Sequence, residues 1–372
     1  MKFGLFYLPT YVPQARDVAT HFDNIVEQVL FADQIGIDYA WMVEHHFVRH
    51  GGLCAGNFAF LAYLAGKTRR IRLGTGATVL PLNDPVRVAE QAATLDQLSK
   101  GRFDLGIGRG FLRDEFDIFG VDMRESRERV EDGIELVKRA WTEPVLNFKS
   151  RFRPPIENIS VLPRIYQTPH PPIWVACSSP ATFIEAGELG LGALCFTFGT
   201  PSEIAEHVRN YKQAIQRCTR PIGAYVNDNI AVTTNMFCLP DGDEARHLYS
   251  LAKVEKFTEY FFSWLDSIPR PKGLPPSGPI TGIPAATPAE LKKGLEVGGR
   301  QVGAPEEIAK VIQMYEAIGV DQLIYAPLTL TMDQKYVLKS IETFGRHVLP
   351  KFDRDPVHST TRQREAALAA AA

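Results

Sequence analysis

Two kinds of apolar pattern alternate along this chain. Short runs of consecutive apolar residues give way to stretches where they recur every three or four positions, the patterns of buried strands and amphipathic helices. Lys2 to Leu8 is the first compact run, stopped by Pro9 and Pro13. After Asp17, residues Phe22, Ile25, Val26, Val29 and Leu30 share one helical face, and Gly36 closes that helix. Tyr39–Val43 is the second predicted strand, followed by a helix through Ala59, Ala62, Tyr63 and Ala65. Ile71–Val79 and Phe103–Ile107 are the third and fourth, with a helix between them that starts at Asp84-Pro85 and runs to Gly101. Gly108-Arg109-Gly110 reads as a flexible loop, and a long helix is predicted from about Ser126, with Val130, Ile134, Val137 and Trp141 on its inner face.

Prolines at 144, 154, 155, 163, 169, 171 and 172 then break the rhythm, so 144–172 is expected to be an excursion with room for small strands. Strands resume at Ile173–Ala176 and Ala193–Phe196, with a helix after Ser179 and another opened by Pro201. Ile230, Val232, Thr234 and Met236 alternate as a seventh strand, and Asp243 is expected to cap the helix that follows. Seven prolines between Pro269 and Pro288 make about 267–300 the longest stretch expected to be irregular, which in a compact domain is functional or disordered. A helix from Pro305, an eighth strand at Gln322–Ala326 and a helix carrying Leu338, Ile341 and Phe344 complete the pattern.

Eight strand–helix units within 1–350 predict a single α/β domain, a closed (β/α)8 TIM barrel. Residues 351–372, Ala-rich at their end, are expected to be a poorly ordered tail. The competing architecture is an open doubly wound sheet. The count of eight disfavours it, as does Gly106-Ile107-Gly108-Arg109-Gly110-Phe111, where Phe111 stands in place of the third glycine of a dinucleotide fingerprint.

Composition narrows the function classes. A net charge of -2 argues against a nucleic-acid surface, which needs a basic excess. Cysteines at 54, 177, 195, 218 and 238 have neither zinc-site nor disulfide-framework spacing, which suits a reducing, cytoplasmic location. The first strand is too short, and too soon followed by proline, to be a signal peptide; no apolar run reaches spanning length, so a soluble protein without membrane contact is expected.

The candidate chemistry lies where strands end, because the carboxyl tips of parallel strands are where barrels assemble active sites. The run Trp41-Met42-Val43 ends abruptly in Glu44-His45-His46. This is either a solvated polar strand end or a histidine used as an acid–base or hydrogen-bond donor, with Glu44 polarising a neighbour. His46 and His50 are spaced like metal ligands, but nothing downstream supplies the rest of a site, so no metal is expected. Arg109 sits between two glycines at the tip of the fourth strand, and Arg127 in the first turn of the next helix. Both are either surface arginines or a phosphate-binding pair. Cys177-Ser178-Ser179, between the fifth strand and its helix, offers either ordinary N-capping or an anion site of free N–H groups and hydroxyls. Gly74-Thr75-Gly76-Ala77 suggests a flat ligand lying against backbone.

Assembled, these residues resemble the bacterial luciferase-like family of flavin-dependent monooxygenases, and within it the luciferase α-subunit group. The stretches that carry the resemblance are Glu44-His45-His46-Phe47, Gly74 to Pro81, Leu95 to Phe103, Phe119 to Met123 and Val302 to Glu307. The resemblance implies a barrel that binds reduced FMN over the strand tips. It implies a C4a-peroxyflavin that oxygenates a small organic substrate with O2, and a separate flavin reductase supplying FMNH2. It also implies His45 as the acid–base residue and Glu44 beside the flavin ring. Arg109, Arg127, Cys177, Ser178 and Ser179 fall on the phosphate-binding positions, and Gly76-Ala77 on a cis peptide against the ring. The 267–300 segment falls on a mobile lid, and a homodimer through the early barrel helices is implied. Three departures stand out: Gly108 where the α subunit has a reactive cysteine, Cys177 in place of a glutamate, and Leu112 in place of a tyrosine. They imply a substrate bulkier than a linear aldehyde and make light emission doubtful. The alternatives left open are a deazaflavin-dependent oxidoreductase of the same superfamily and a non-catalytic flavin-binding partner subunit.

Overall fold

The computed structural model describes residues 1–10, 15–48, 51–196, 199–254, 285–327 and 330–371. Among these, eight parallel strands close on themselves: β1 (Lys2–Tyr7), β2 (Tyr39–Met42), β3 (Arg72–Thr75), β4 (Phe103–Gly108), β5 (Ile173–Cys177), β6 (Gly192–Cys195), β7 (Ile230–Cys238) and β8 (Gln322–Ala326). Closure is made by β8 on β1, in register from Lys2↔Gln322 to Leu5↔Tyr325. The ring is continuous through β6 and β7, paired from Ile230↔Ala193 to Val232↔Cys195. The fold is the closed barrel that the repeating pattern predicts, and the open sheet is excluded by these two pairings.

The lumen is packed by matching large side chains to glycine. Trp41 lies over Gly74, and Trp174 over Gly192, at positions where an added Cβ would collide with the indole. The two indoles meet edge to face across the barrel at 5.5 Å. Below them Arg72 donates to Asp104 at 2.7 Å, and the other Asp104 oxygen accepts from Trp174 Nε1 at 2.9 Å. Above them Phe6 and Phe196 meet as tilted rings with centroids 5.1 Å apart. The C-terminal mouth of the barrel begins at this layer.

Three expectations are corrected. The third strand stops at Thr75 and resumes as Thr78–Val79 beside Ile107 and Gly108, the break falling at the cis Gly76–Ala77 bond. The 267–300 segment is not irregular throughout. Pro288–Glu296 is a helix with a Thr287/Glu290 capping box, and Gln301–Gly303 extends the sheet beside Met236–Cys238. The first part of the segment expected to be a lid, 267–284, lies outside the described residues. The tail is not frayed: Ser359–Ala371 is a helix, as its alanines favour. Gln363 joins it to Asn229 and Asp228 just before β7, and Arg364 to Gln167 ahead of β5. Because these partners precede strands, the helix lies at the N-terminal mouth, away from the strand tips. A smaller difference is an N-cap at Asp241 rather than Asp243, while the 144–172 excursion contains two small antiparallel strands, Leu146–Ser150 and Arg153–Ile159, as expected.

Candidate active site

Beyond β2, two carboxylates from different parts of the chain divide the two imidazoles between them. Glu44 is buried, and both of its oxygens are occupied. Oε2 accepts from the Val79 amide at 3.0 Å; Oε1 accepts from Asn83 Nδ2 at 2.8 Å and lies 3.1 Å from His46 Nε2. Its hydrogen bond raises the pKa of His46 above the ordinary value, against the opposing effect of burial. Glu44 therefore ties the β2 tip to the segment after β3. Both oxygens of Glu44, the residue expected beside the flavin ring, are thus engaged with Val79, Asn83 and His46. The buried Cys54 thiol is pushed up to about 12 by its burial and, secondarily, by the Glu44 charge.

His45 is held by other groups. Its Nδ1 lies 3.3 Å from Glu115 Oε1, and that same oxygen accepts the His46 amide at 2.8 Å. Phe111 meets the imidazole edge-on at 5.5 Å. Gly51, at φ +78°, packs under the ring where an added Cβ would lie 2.9 Å from His45 Cδ2. Glu115 is the residue that sequence reasoning missed. It sits on a short helix, Arg113–Phe119, in the stretch between Gly110 and Ser126 to which the sequence pattern assigns no element. Gly120, the left-handed C-cap of that helix, was the signal that could have found it.

Around these residues the mouth has an apolar floor. Leu8, Ala77, Val175, Ala176 and Phe196 stand at or just past strand ends and are only half-buried. Gly108 is adjacent to Ala77, where an added Cβ would come within 3.3 Å of the Ala77 methyl. Beside the floor lie the anion candidates. Strands β4 and β5 are paired from Leu105↔Ile173 to Ile107↔Val175, so Arg109 and the Cys177–Ser179 turn emerge from neighbouring strands. Arg109 is exposed and carries no hydrogen bond or ion pair to a described residue. Ser178 and Ser179 are exposed, their amides turned to Thr182 Oγ1 at 3.2 Å each.

Two phosphate-site expectations need amendment. The Cys177 thiol is fully buried and directed to the Val175 and Thr182 carbonyls, so its side chain faces the core and has no access to a ligand. Arg127 is already paired, Nη2 lying 2.9 Å from Glu185 on the helix that Ser179 begins. That pairing brings Arg127 to the right helix but occupies part of its guanidinium.

A half-buried apolar floor kept open by Gly108, with an unpaired arginine and two hydroxyls at one edge, fits a flat aromatic ring bearing a phosphate, as in FMN. The fold is a closed (β/α)8 barrel whose candidate site lies at the C-terminal mouth. The chain belongs to the luciferase-like monooxygenase family, whose model matches residues 1–322. It spans about half the length of the alkanal monooxygenase alpha chain of Photorhabdus luminescens: 36% identity over 191 residues, 51% of this chain and 52% of that one. It is 26% identical over 368 residues to the oxygenase component of the flavin-dependent trigonelline monooxygenase of Acinetobacter baylyi, covering 96% of this chain and 97% of the relative. Among solved structures, monooxygenase RslO1 from Streptomyces bottropensis superposes with a TM-score of 0.80 at 28% identity, over 95% of this chain and 100% of that one. Among the described residues no helix is long and apolar enough to cross a membrane.

Proposed function

We propose that this protein is an FMNH2- and O2-dependent monooxygenase that oxygenates a small organic substrate. The observation that carries the reading is that His45, the apolar floor and the unpaired Arg109 share one barrel mouth. Reduced FMN, when bound, supplies the electrons that let O2 deliver one oxygen atom to the substrate. Arg109, Ser178 and Ser179 hold its phosphate, with Arg127 contributing the donors that Glu185 leaves over. Gly76, Ala77 and Gly108 support the ring. His45 exchanges a proton at Nε2, the ring nitrogen with no described partner. Glu44 keeps the β2 tip and the Val79 segment in register around it.

A separate flavin reductase supplies FMNH2. The likeness to an oxygenase component supports this, as does the broken glycine fingerprint at Phe111. The lack of a side chain at Gly108, where the α subunit has a cysteine, favours a substrate bulkier than a linear aldehyde. Exposed Tyr63 and Leu98, on the packed helices Asn57–Lys67 and Pro85–Ser99, support a homodimer through the early barrel helices. Five free cysteines support a reducing cytoplasmic setting. The test is anaerobic titration with FMNH2, then air and a panel of aldehydes, ketones, terpenoids and aromatics. Substrate-dependent oxygen uptake with one oxygen atom in the product is expected. Failure to bind FMN or FMNH2 under any condition would end the proposal, and hydride transfer without oxygen uptake would replace it with the deazaflavin reading.

A further inference from the structure

The buried carboxylates of this chain divide into two kinds. Glu44 has both oxygens engaged, as described above. Asp96 accepts from the Tyr166 and Gln167 amides at one oxygen and from Gln167 Nε2 at the other. Asp104 is shared between Arg72 and Trp174. Each of these is saturated, as a carboxylate used for structure must be when removed from water.

Glu115 is different. It is completely buried, yet its Oε2 has no hydrogen-bond partner. All its described interactions run through Oε1, to the His46 amide and His45 Nδ1. No arginine or lysine compensates it: His45 is its only ion-pair partner among the described residues. Its position on the short helix adds to the contrast. Glu115 is the third residue after the Leu112 N-cap, where a glutamate ordinarily reaches back to close a capping box. Leu112 makes no side-chain cap, and the carboxylate is turned towards the histidines instead.

We propose that Glu115 is the positioning residue for His45. Its carboxylate accepts a hydrogen bond from Nδ1–H, selecting the tautomer that a solvated neutral imidazole disfavours, and so leaves Nε2 as the nitrogen that exchanges protons. A carboxylate behind an imidazole fixes ring orientation and tautomer together. Phe111 at the ring edge and Gly51 beneath it limit the ring to that pose. The inference rests on the proposed function for what Nε2 does, but the Glu115–His45 relationship stands apart from it.

The experiment is 15N-histidine NMR on the full chain without flavin, on wild type, Glu115→Leu and Glu115→Gln. Turnover with FMNH2 and FMN affinity are measured alongside. Neutral His45 in the wild type should carry its proton on Nδ1. Glu115→Leu should move it to Nε2 and lower kcat by about 10- to 100-fold, the usual effect of losing a group behind a functional imidazole, with FMN affinity within about threefold. Glu115→Gln keeps an acceptor for both N–H groups, so it should keep the tautomer while turning over at least about fivefold more slowly. An Nε2–H tautomer in the wild type overturns the proposal whatever the variants do, as does full turnover in either variant. If wild type binds no flavin, the proposed function falls, while the tautomer still decides this relationship.

Discussion

Glu44 reaches two residues along its own chain to hold His46, Oε1 to Nε2 at 3.1 Å, while its other oxygen grips the Val79 amide. The contact is a latch, and its strength depends on pH. The pKa of His46 is raised by this hydrogen bond, so folding favours the protonated ring. The stabilisation is fully present below the unfolded pKa of about 6.5 and is lost as pH rises through the higher folded value. Thermal unfolding of wild type and His46→Gln should therefore differ more at pH 5.5 than at pH 9. An equal gap at both would show that the latch is not ionic.

Arg109 and Arg127 should separate when tested against two flavins. Arg109 has no described partner, so Arg109→Met should weaken FMN binding by about 10- to 100-fold, the loss of a charged hydrogen bond worth about 1.5–3 kcal/mol. Riboflavin, which lacks the phosphate, should bind unchanged. Arg127 already gives donors to Glu185, so Arg127→Met should cost less. Equilibrium fluorescence titration with both ligands measures the difference, and equal losses for FMN and riboflavin would move Arg109 away from the phosphate.

Gly108 is expected to set the space above the floor. A side chain there meets the Ala77 methyl at its first carbon, so Gly108→Leu should reduce FMN affinity by at least about tenfold. Unchanged affinity would mean that the ring does not lie beside Ala77.

The Arg72–Asp104 pair sits beneath the indole layer, and both side chains are nearly sealed from solvent. Breaking a buried pair strands a charge, so Arg72→Met should destabilise by about 3–5 kcal/mol. Asp104→Asn keeps an acceptor for Trp174 but likewise strands Arg72. The double variant removes both charges and should lose less than the two single losses combined, a coupling read from denaturant unfolding. Strict additivity would argue that the pair is not coupled.

The repeating pattern was sufficient for the architecture. Each barrel strand is buried on both sides and reads as an apolar run, each helix shows a helical period, and eight repeats leave little besides a closed barrel. The abrupt polarity of Glu44-His45-His46, and the arginine and serines at neighbouring strand ends, were also visible, because a strand tip is recognisable without its neighbours. What stayed hidden was pairing. Glu115 lies 70 residues from His45 on a helix too short to show a period. The ordered tail depends on Arg364 finding Gln167, 197 residues away.

By itself, then, the sequence determined the barrel, the mouth on which chemistry is placed and the residue types available there, since these follow from local periodicity and strand ends. Only the tertiary structure decided their division of labour. It gave Glu44 to His46 and Glu115 to His45, turned the Cys177 thiol into the core and committed part of Arg127 to Glu185. The physical reason is that a polar side chain's role is set by which hydrogen-bonding atoms remain unpaired after folding, and that depends on contacts between elements far apart along the chain.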